Sequence, residues 1–243
     1  MKESVLFLIV VLLTNIIQCV TGFAGTVLAM PFSVMLIGLS SAKAILNVLG
    51  AAASAGVVIA SYKSVNKKEF IKMTGFLLPG IIAGYFLSPL LMSFQKAAYI
   101  ILGSVVIFFA VFNFIKLLKN KESKEPGPVL SAVILLVSGL IHGVFVCGGP
   151  LLVTYAGAKL KDTQEFRATL SCVWIVLNGI MIFSDVGNGY FDAVTVRLLL
   201  LSLAVLTAAI VIGNFAAKKL SKRAFLILSY VLMLISGISL LVK

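Results

Sequence analysis

Apolar residues run in blocks along this chain. Six of the blocks, residues 43–62, 70–92, 97–117, 165–185, 193–216 and 221–242, each hold twenty or more residues. Roughly 20 helical residues cross the roughly 30 Å of hydrocarbon in a bilayer, so each block predicts one transmembrane helix. Two further apolar stretches, 4–38 and 128–158, are interrupted by glycine-containing segments, TGFAGT at 21–26 and VCGGP at 146–150. Glycine disfavours a helix interior, so each stretch reads as a pair of segments. The second members, about 27–38 and 150–159, are short for an ordinary span and predict half-helices or strongly tilted segments. The predicted fold is an all-α integral membrane protein with about eight to ten membrane segments.

Composition agrees with that pattern. At 61% hydrophobic residues and a mean hydropathy of +1.16, a chain of 243 residues lacks the polar surface to coat a water-soluble globule. The run after Met1-Lys2-Glu3 continues into more membrane-type sequence without a small-residue cleavage site, so it reads as a retained first helix. The net charge of +12 does not point to nucleic acid, because the cations flank apolar stretches and form no patch interleaved with aromatics. Cys19, Cys147 and Cys172 lie in apolar runs without paired spacing, which suits packing rather than a disulfide or a metal knuckle.

The charge carries topology instead. Fifteen of the twenty basic residues fall in four loops: Lys63, Lys67, Lys68 and Lys72; Lys116, Lys119, Lys121 and Lys124; Lys159, Lys161 and Arg167; Lys218, Lys219, Lys222 and Arg223. The positive-inside rule places these loops in the cytoplasm and the cation-poor loops 93–96 and 186–192 outside. Each broken pair then begins and ends on one side, and both termini are expected outside.

An internal repeat follows the same elements. AKAILN at 42–47 resembles FRATLS at 166–171, and KAAYIILG at 96–103 resembles KRAFLILS at 222–229. The strongly basic loop 63–72 corresponds to the cation-free loop 186–192, while the weakly basic loop near Lys96 corresponds to the basic 218–223. The basic loops exchange places, which predicts two inverted halves: a broken pair and three helices at 1–118, a cytoplasmic linker at 119–127, and the second repeat at 128–243. Inverted repeats of this kind belong to alternating-access transporters, with the substrate site near the midplane where broken helices meet.

TGFAGTVLAMP at 21–31 and GVFVCGGPLLV at 143–153 resemble the paired glycine-rich signatures of the sulfite exporter TauE/SafE family. The order of segments after each signature is similar over nearly the whole chain. Ala24 and Thr26 stand where glycines are common, and Thr154 where the second repeat often has proline, which narrows and polarises the breaks. The resemblance implies a bacterial inner-membrane transporter of sulfite, sulfonates and related organic anions, working as an exporter.

An anion near the bilayer centre needs donors, and a broken helix supplies free backbone N–H groups and the positive end of a helix dipole. The expected substrate-binding residues at the breaks are Gly22, Gly25 and Thr26 from one half and Gly148 and Gly149 from the other. Gln18, Asn47, Ser54, His142, Ser171 and Asn178 complete the set, since amide, hydroxyl and imidazole donors suit a dispersed negative charge. Lys43 and Arg167, at the same repeat position, are expected to attract anions at the two mouths. Each residue has a plainer role open to it: small residues allow close helix packing, polar ones bond between helices, and interfacial cations snorkel.

No metal site is expected, because the sole histidine has no nearby carboxylates, and no cofactor is expected. The eight acidic residues all fall at termini, in loops or at span ends, so no carboxylate relay crosses the membrane. The expected partners are a small anionic substrate and the lipid bilayer. An anion-selective channel is the alternative within transport. An intramembrane enzyme or assembly factor is the alternative outside it, although the chain offers no nucleophile, base and acid at one depth.

Overall fold

A computed structural model describes residues 2–21, 24–119, 125–160 and 162–219, together with 227, 230, 231, 234, 235, 237, 238 and 241. Among these the chain forms α1 (Lys2–Thr21), α2 (Ala24–Ile37), α3 (Leu39–Ser61), α4 (Lys67–Ser93), α5 (Gln95–Leu118), α6 (Pro128–Phe145), α7 (Gly149–Lys159), α8 (Thr163–Gly187) and α9 (Ala193–Lys219). One 3-10 turn, Tyr62–Ser64, follows α3, and the described residues after 226 are helical. No strand occurs among the described residues. In hydrocarbon every backbone N–H and C=O must be paired within its own segment, and sequence this apolar meets that demand as helix.

Among the described residues six helices are long and apolar enough to cross a membrane: Lys2–Cys19, Leu39–Ser64, Lys67–Leu90, Pro128–Phe145, Gln164–Gly187 and Ala193–Gly213. Four coincide with blocks read from the sequence. The other two are the first members of the broken pairs, each of which is a full-length helix. The block 97–117 lies within α5, whose apolar part is the shorter Gly103–Leu118. Most of the block 221–242, and with it the repeat element 222–229, lies outside the described residues.

The second members of the pairs are short, at 14 residues for α2 and 11 for α7. α6 ends where Val146 takes a left-handed conformation, φ +58°, with its N–H on the carbonyl of His142 at 2.7 Å. A β-branched residue is strained there, so this end is held by its surroundings. Pro150 in the first turn of α7 costs no hydrogen bond, because that N–H has no partner in a helix.

α3 and α8 pack on each other in the middle, with α2 and α9 also against α3 and α4 and α7 against α8. α4 lies along α6 and α1 along α9. The α4–α6 contact is backbone on backbone: a Cβ at Gly80 or Gly84 would strike the carbonyls of Leu136 and Leu140, and one at Gly139 or Gly143 those of Leu77 and Ile81. Glycines four apart on both helices permit this approach, which in lipid replaces the missing hydrophobic drive with van der Waals contact. At the α1–α9 seam, a Cβ on Gly213 would sit 2.7 Å from that of Cys19. Large apolar side chains such as Phe86, Phe108, Phe183 and Phe215 stay exposed on the outer surface, a rim suited to lipid.

Candidate functional site

The site grows from two helix faces. On α3, Lys43, Asn47, Gly50 and Ser54 recur at helical spacing and are all buried. On α8, Ser171, Trp174, Asn178 and Asp185 do the same. Because α3 packs on α8, two polar stripes are enclosed at the centre of a protein whose other interior surfaces are mostly apolar.

Between these stripes and the two breaks lies a cavity of about 10 Å³, lined by Gln18, Thr26, Val27, Gly50, His142, Val146, Gly149, Trp174 and Asn178. Both halves of the chain contribute to it. Gly50 is needed for its shape, because a Cβ there would stand 2.8 Å from the amide nitrogen of Asn178. His142 and Trp174 lie with ring centroids 5.5 Å apart. Both ring nitrogens of His142 and the indole Nε1 of Trp174 are buried without a hydrogen-bond partner among the described residues. Buried polar groups are nearly always paired, so unpaired donors beside a cavity mark a place where a ligand can pair them.

The two breaks differ in how their backbone is satisfied. Gln18 Oε1 accepts the Gly25 N–H at 2.7 Å, so a side chain of α1 caps α2. At the second break, Ser138 Oγ donates to the Gly148 carbonyl at 2.7 Å, while His142 beside it is not engaged as a cap. Gly148 is a packing glycine, since a Cβ would strike the Ser138 carbonyl. Thr154 bonds back to the Pro150 carbonyl at 2.9 Å and Asn15 to that of Val11 at 2.8 Å, so both are held on their own helices.

Of the residues expected from the sequence, Gln18, Thr26, His142, Gly149 and Asn178 line the cavity. Gly25 stands next to it with its N–H already engaged. Gly22 lies outside the described residues. Ser54 and Ser171 are buried on the two stripes away from the lining, and the hydroxyl of Ser54 has no hydrogen-bond partner among the described residues. Asn47 donates to Asp185 Oδ2 at 2.7 Å. Arg167 is half-buried and donates through Nη2 to the Cys19 carbonyl at 2.8 Å, at the last turn of α1. Lys43 is only 6% exposed, so it is an interior cation rather than one at an open mouth.

Val27, Gly50, Val146 and Trp174 of the lining, and Asp185 beside it on α8, were not singled out as site residues from the sequence. Trp174 is the sole tryptophan and shares the face of Ser171 and Asn178, a spacing that could have found it. Asp185 does lie at a span end, as its position suggests, yet it is 1% exposed and bonded to Asn47. Among the described residues no group of three or more His, Cys, Asp or Glu could hold a metal ion.

The spans, the enclosed polar centre and the lipid-suited rim define a multi-pass helical membrane protein. The chain belongs to the sulfite exporter TauE/SafE family, which it matches over residues 6–240, and it is a membrane transporter. It is similar to the probable inner membrane transporter protein TsaS of Comamonas testosteroni, with 27% identity over 168 residues, covering 68% of this chain and 70% of that protein. No solved structure matches it.

Proposed function

We propose that this transporter carries small oxyanions or organosulfur anions, sulfite and sulfonates among them, out of the cell, holding them in the cavity between the two helix breaks. The observation that carries the reading is the set of unpartnered groups on His142 and Trp174 facing a cavity shared by both halves. With the amides of Gln18 and Asn178, the Thr26 hydroxyl and the first N–H of α7, they offer an anion dipoles and a helix terminus without a fixed charge. At about 10 Å³ the cavity has room for about one water, which favours small anions and requires its walls to open for any of them.

The packing supports two halves inverted about the α3–α8 contact. Residues 124 apart take up matching places: Gln18 and His142 at the ends of the first helices, Gly50 and Trp174 on the central stripes, Lys43 and Arg167 at their starts. α4 packs on α6 as α9 packs on α1, each joining the fourth helix of one half to the first of the other. Rocking one half against the other would expose the cavity to either side in turn, with basic loops inside and both termini outside. An inside-negative potential of 100 mV drives a monoanion outward by about 2.3 kcal/mol, so export needs no second ion.

The test is the current carried by purified protein in liposomes offered sulfite, sulfate, a sulfonate, a carboxylate and chloride under an imposed potential. Saturable current selective for sulfur oxyanions is expected, and Gly149→Leu, which fills the break, should abolish it. Equal currents for all five anions with no saturation would replace the carrier with a channel. Full current in a folded Gly149→Leu would move the site elsewhere.

A further inference from the structure

We propose that each half lends one helix to the other's rigid body, so that α1, α2, α3 and α9 move as one unit and α4, α6, α7 and α8 as the other, an inference that rests on the alternating-access reading above. The seams between helices support this division. α9 lies along α1 and against α3, where the hydroxyls of Ser41 and Thr195 share a hydrogen bond of 2.8 Å. α4 lies along α6 through its glycine contacts and is tied to α7 and α8 as well. Tyr155 of α7 donates to Glu69 Oε2 at 2.7 Å. Asn66, at the start of α4, donates its N–H to Thr169 Oγ1 at 2.9 Å and its amide to Glu165 Oε1 at 2.7 Å. Each of these contacts joins one sequence half to the other, so halves that swung apart whole would have to break them.

The exchange keeps the cavity on the boundary, with Gln18, Thr26 and Gly50 on one unit and His142, Trp174 and Asn178 on the other. Side-chain hydrogen bonds cross that boundary on either side of the cavity. Asn47 of α3 donates to Asp185 Oδ2 near the end of α8 at 2.7 Å, and Arg167 near the start of α8 donates to the Cys19 carbonyl of α1 at 2.8 Å. Along α8 the lining residues Trp174 and Asn178 fall between the two. Each contact leaves a buried atom without a hydrogen-bond partner among the described residues, Oδ1 of Asn47 in one and Nε of Arg167 in the other. Such polar contacts separate at modest cost, because water pairs the groups as they part, whereas a backbone-on-backbone seam in lipid has no substitute partner. The two contacts are therefore the gates: one opens the cavity to its own face while the other holds.

The chain passes from one unit to the other outside its α-helices, at 62–66 and at 188–192, where Gly189 has φ +72°. A few residues of this kind absorb the changes in φ and ψ that a hinge needs. Asn66 already belongs to the α8 side through its two hydrogen bonds, which puts the bend of the first crossing before it. α5 stands outside the division: it touches α4 and α7, and a Cβ on its Gly103 would stand 2.8 Å from the Gly237 carbonyl.

The experiment uses full-length protein in liposomes with methanesulfonate as the probe. Ser41→Cys combined with Thr195→Cys sets two thiols where hydroxyls now touch, within reach of a disulfide. The bridge joins the sequence halves but lies within one unit, so flux should stay within about twofold of the reduced protein, with wild type given the same oxidant as control. Flux that stops on bridging and returns on reduction overturns the proposal. Spin-label distances decide independently, whether or not the bridge forms. Phe86, Phe183 and Phe215 are exposed and can carry labels as cysteines. The pair at 86 and 183 spans the halves within one unit, and the pair at 183 and 215 spans the units within one half. Adding methanesulfonate should shift or split the second distance and leave the first; the reverse, or both or neither moving, overturns the division. Movement of the second pair alone in a protein that carries no anion would keep the division and sink the transport reading. Asn47→Ala removes one gate bond, so apparent affinity should rise about fivefold at that face and fall at the other. A change in the same direction at both faces, or none, overturns the gate.

Discussion

Gln18 and Gly25 are joined by a hydrogen bond of 2.7 Å from the glycine N–H to the side-chain oxygen, so the first helix caps the second across the break. His142, 124 residues after Gln18, lines the same cavity with neither ring nitrogen bonded among the described residues. One break is closed by its own side chain, and the other presents an imidazole to the cavity.

Gln18→Glu keeps an oxygen for the Gly25 N–H and adds a negative charge to the cavity wall. Anion flux should fall roughly tenfold or more, since like charges repel strongly where water is excluded. Thermal unfolding in detergent should change little. Normal flux in this variant would show that the anion does not pass Gln18.

Trp174→Phe retains an aromatic ring beside His142 and removes the Nε1 donor. A hydrogen bond to a charged group contributes about 1.5–3 kcal/mol, so apparent anion affinity should drop roughly tenfold or more. Titrating flux against anion concentration measures it. An unchanged affinity would remove Trp174 from the ligand shell and leave it as packing.

Gly139→Ala forces a methyl group into the Leu77 carbonyl at the α4–α6 contact and should destabilise the protein by about 1–3 kcal/mol. Gly75→Ala on α4 meets open space and should be neutral or slightly stabilising, because alanine favours helix. Comparing their melting temperatures separates backbone contact from helix propensity. Equal effects would mean that the close approach of α4 and α6 adds nothing.

Asp192 precedes α9 and accepts the Thr195 N–H at 2.7 Å, a bond that holds its carboxyl below the ordinary carboxylate range. A lowered value in the folded state means that its contribution to stability is present above the unfolded carboxyl's pKa and is lost as pH falls through the folded one. Asp192→Asn still caps the helix but does not titrate. Its melting temperature should fall less than that of the wild type on acidification, and parallel curves would count against the cap. Asn66 caps α4 in the same way, accepting the Glu69 N–H at 3.0 Å.

A helical membrane protein with two interrupted helix pairs is legible along the chain before any packing is considered. Apolar runs of twenty residues can satisfy their backbone in lipid only as helices, and glycine-rich interruptions in such runs break them. α2 and α7 begin and end close to where TGFAGT and VCGGP place them. The chain also pointed to Gln18, Thr26, His142, Gly149 and Asn178, because a polar residue beside a break is costly in a bilayer and stands out against apolar neighbours.

Which polar residues share the cavity follows from how the helices pack. Asn47 and Asn178 look alike along the chain, yet packing of α3 on α8 turns Asn178 to the cavity and gives Asn47 to Asp185. Gly50 leaves the room that the Asn178 amide occupies at the cavity, a relation between positions far apart in sequence. Asp185, which its place at a span end marks as interfacial, is buried and bonded to Asn47 of α3. Apolar periodicity records where a residue sits along a helix and which face it shares. Burial, pairing and cavity shape depend on the helix that faces it, and folding alone supplies that neighbour.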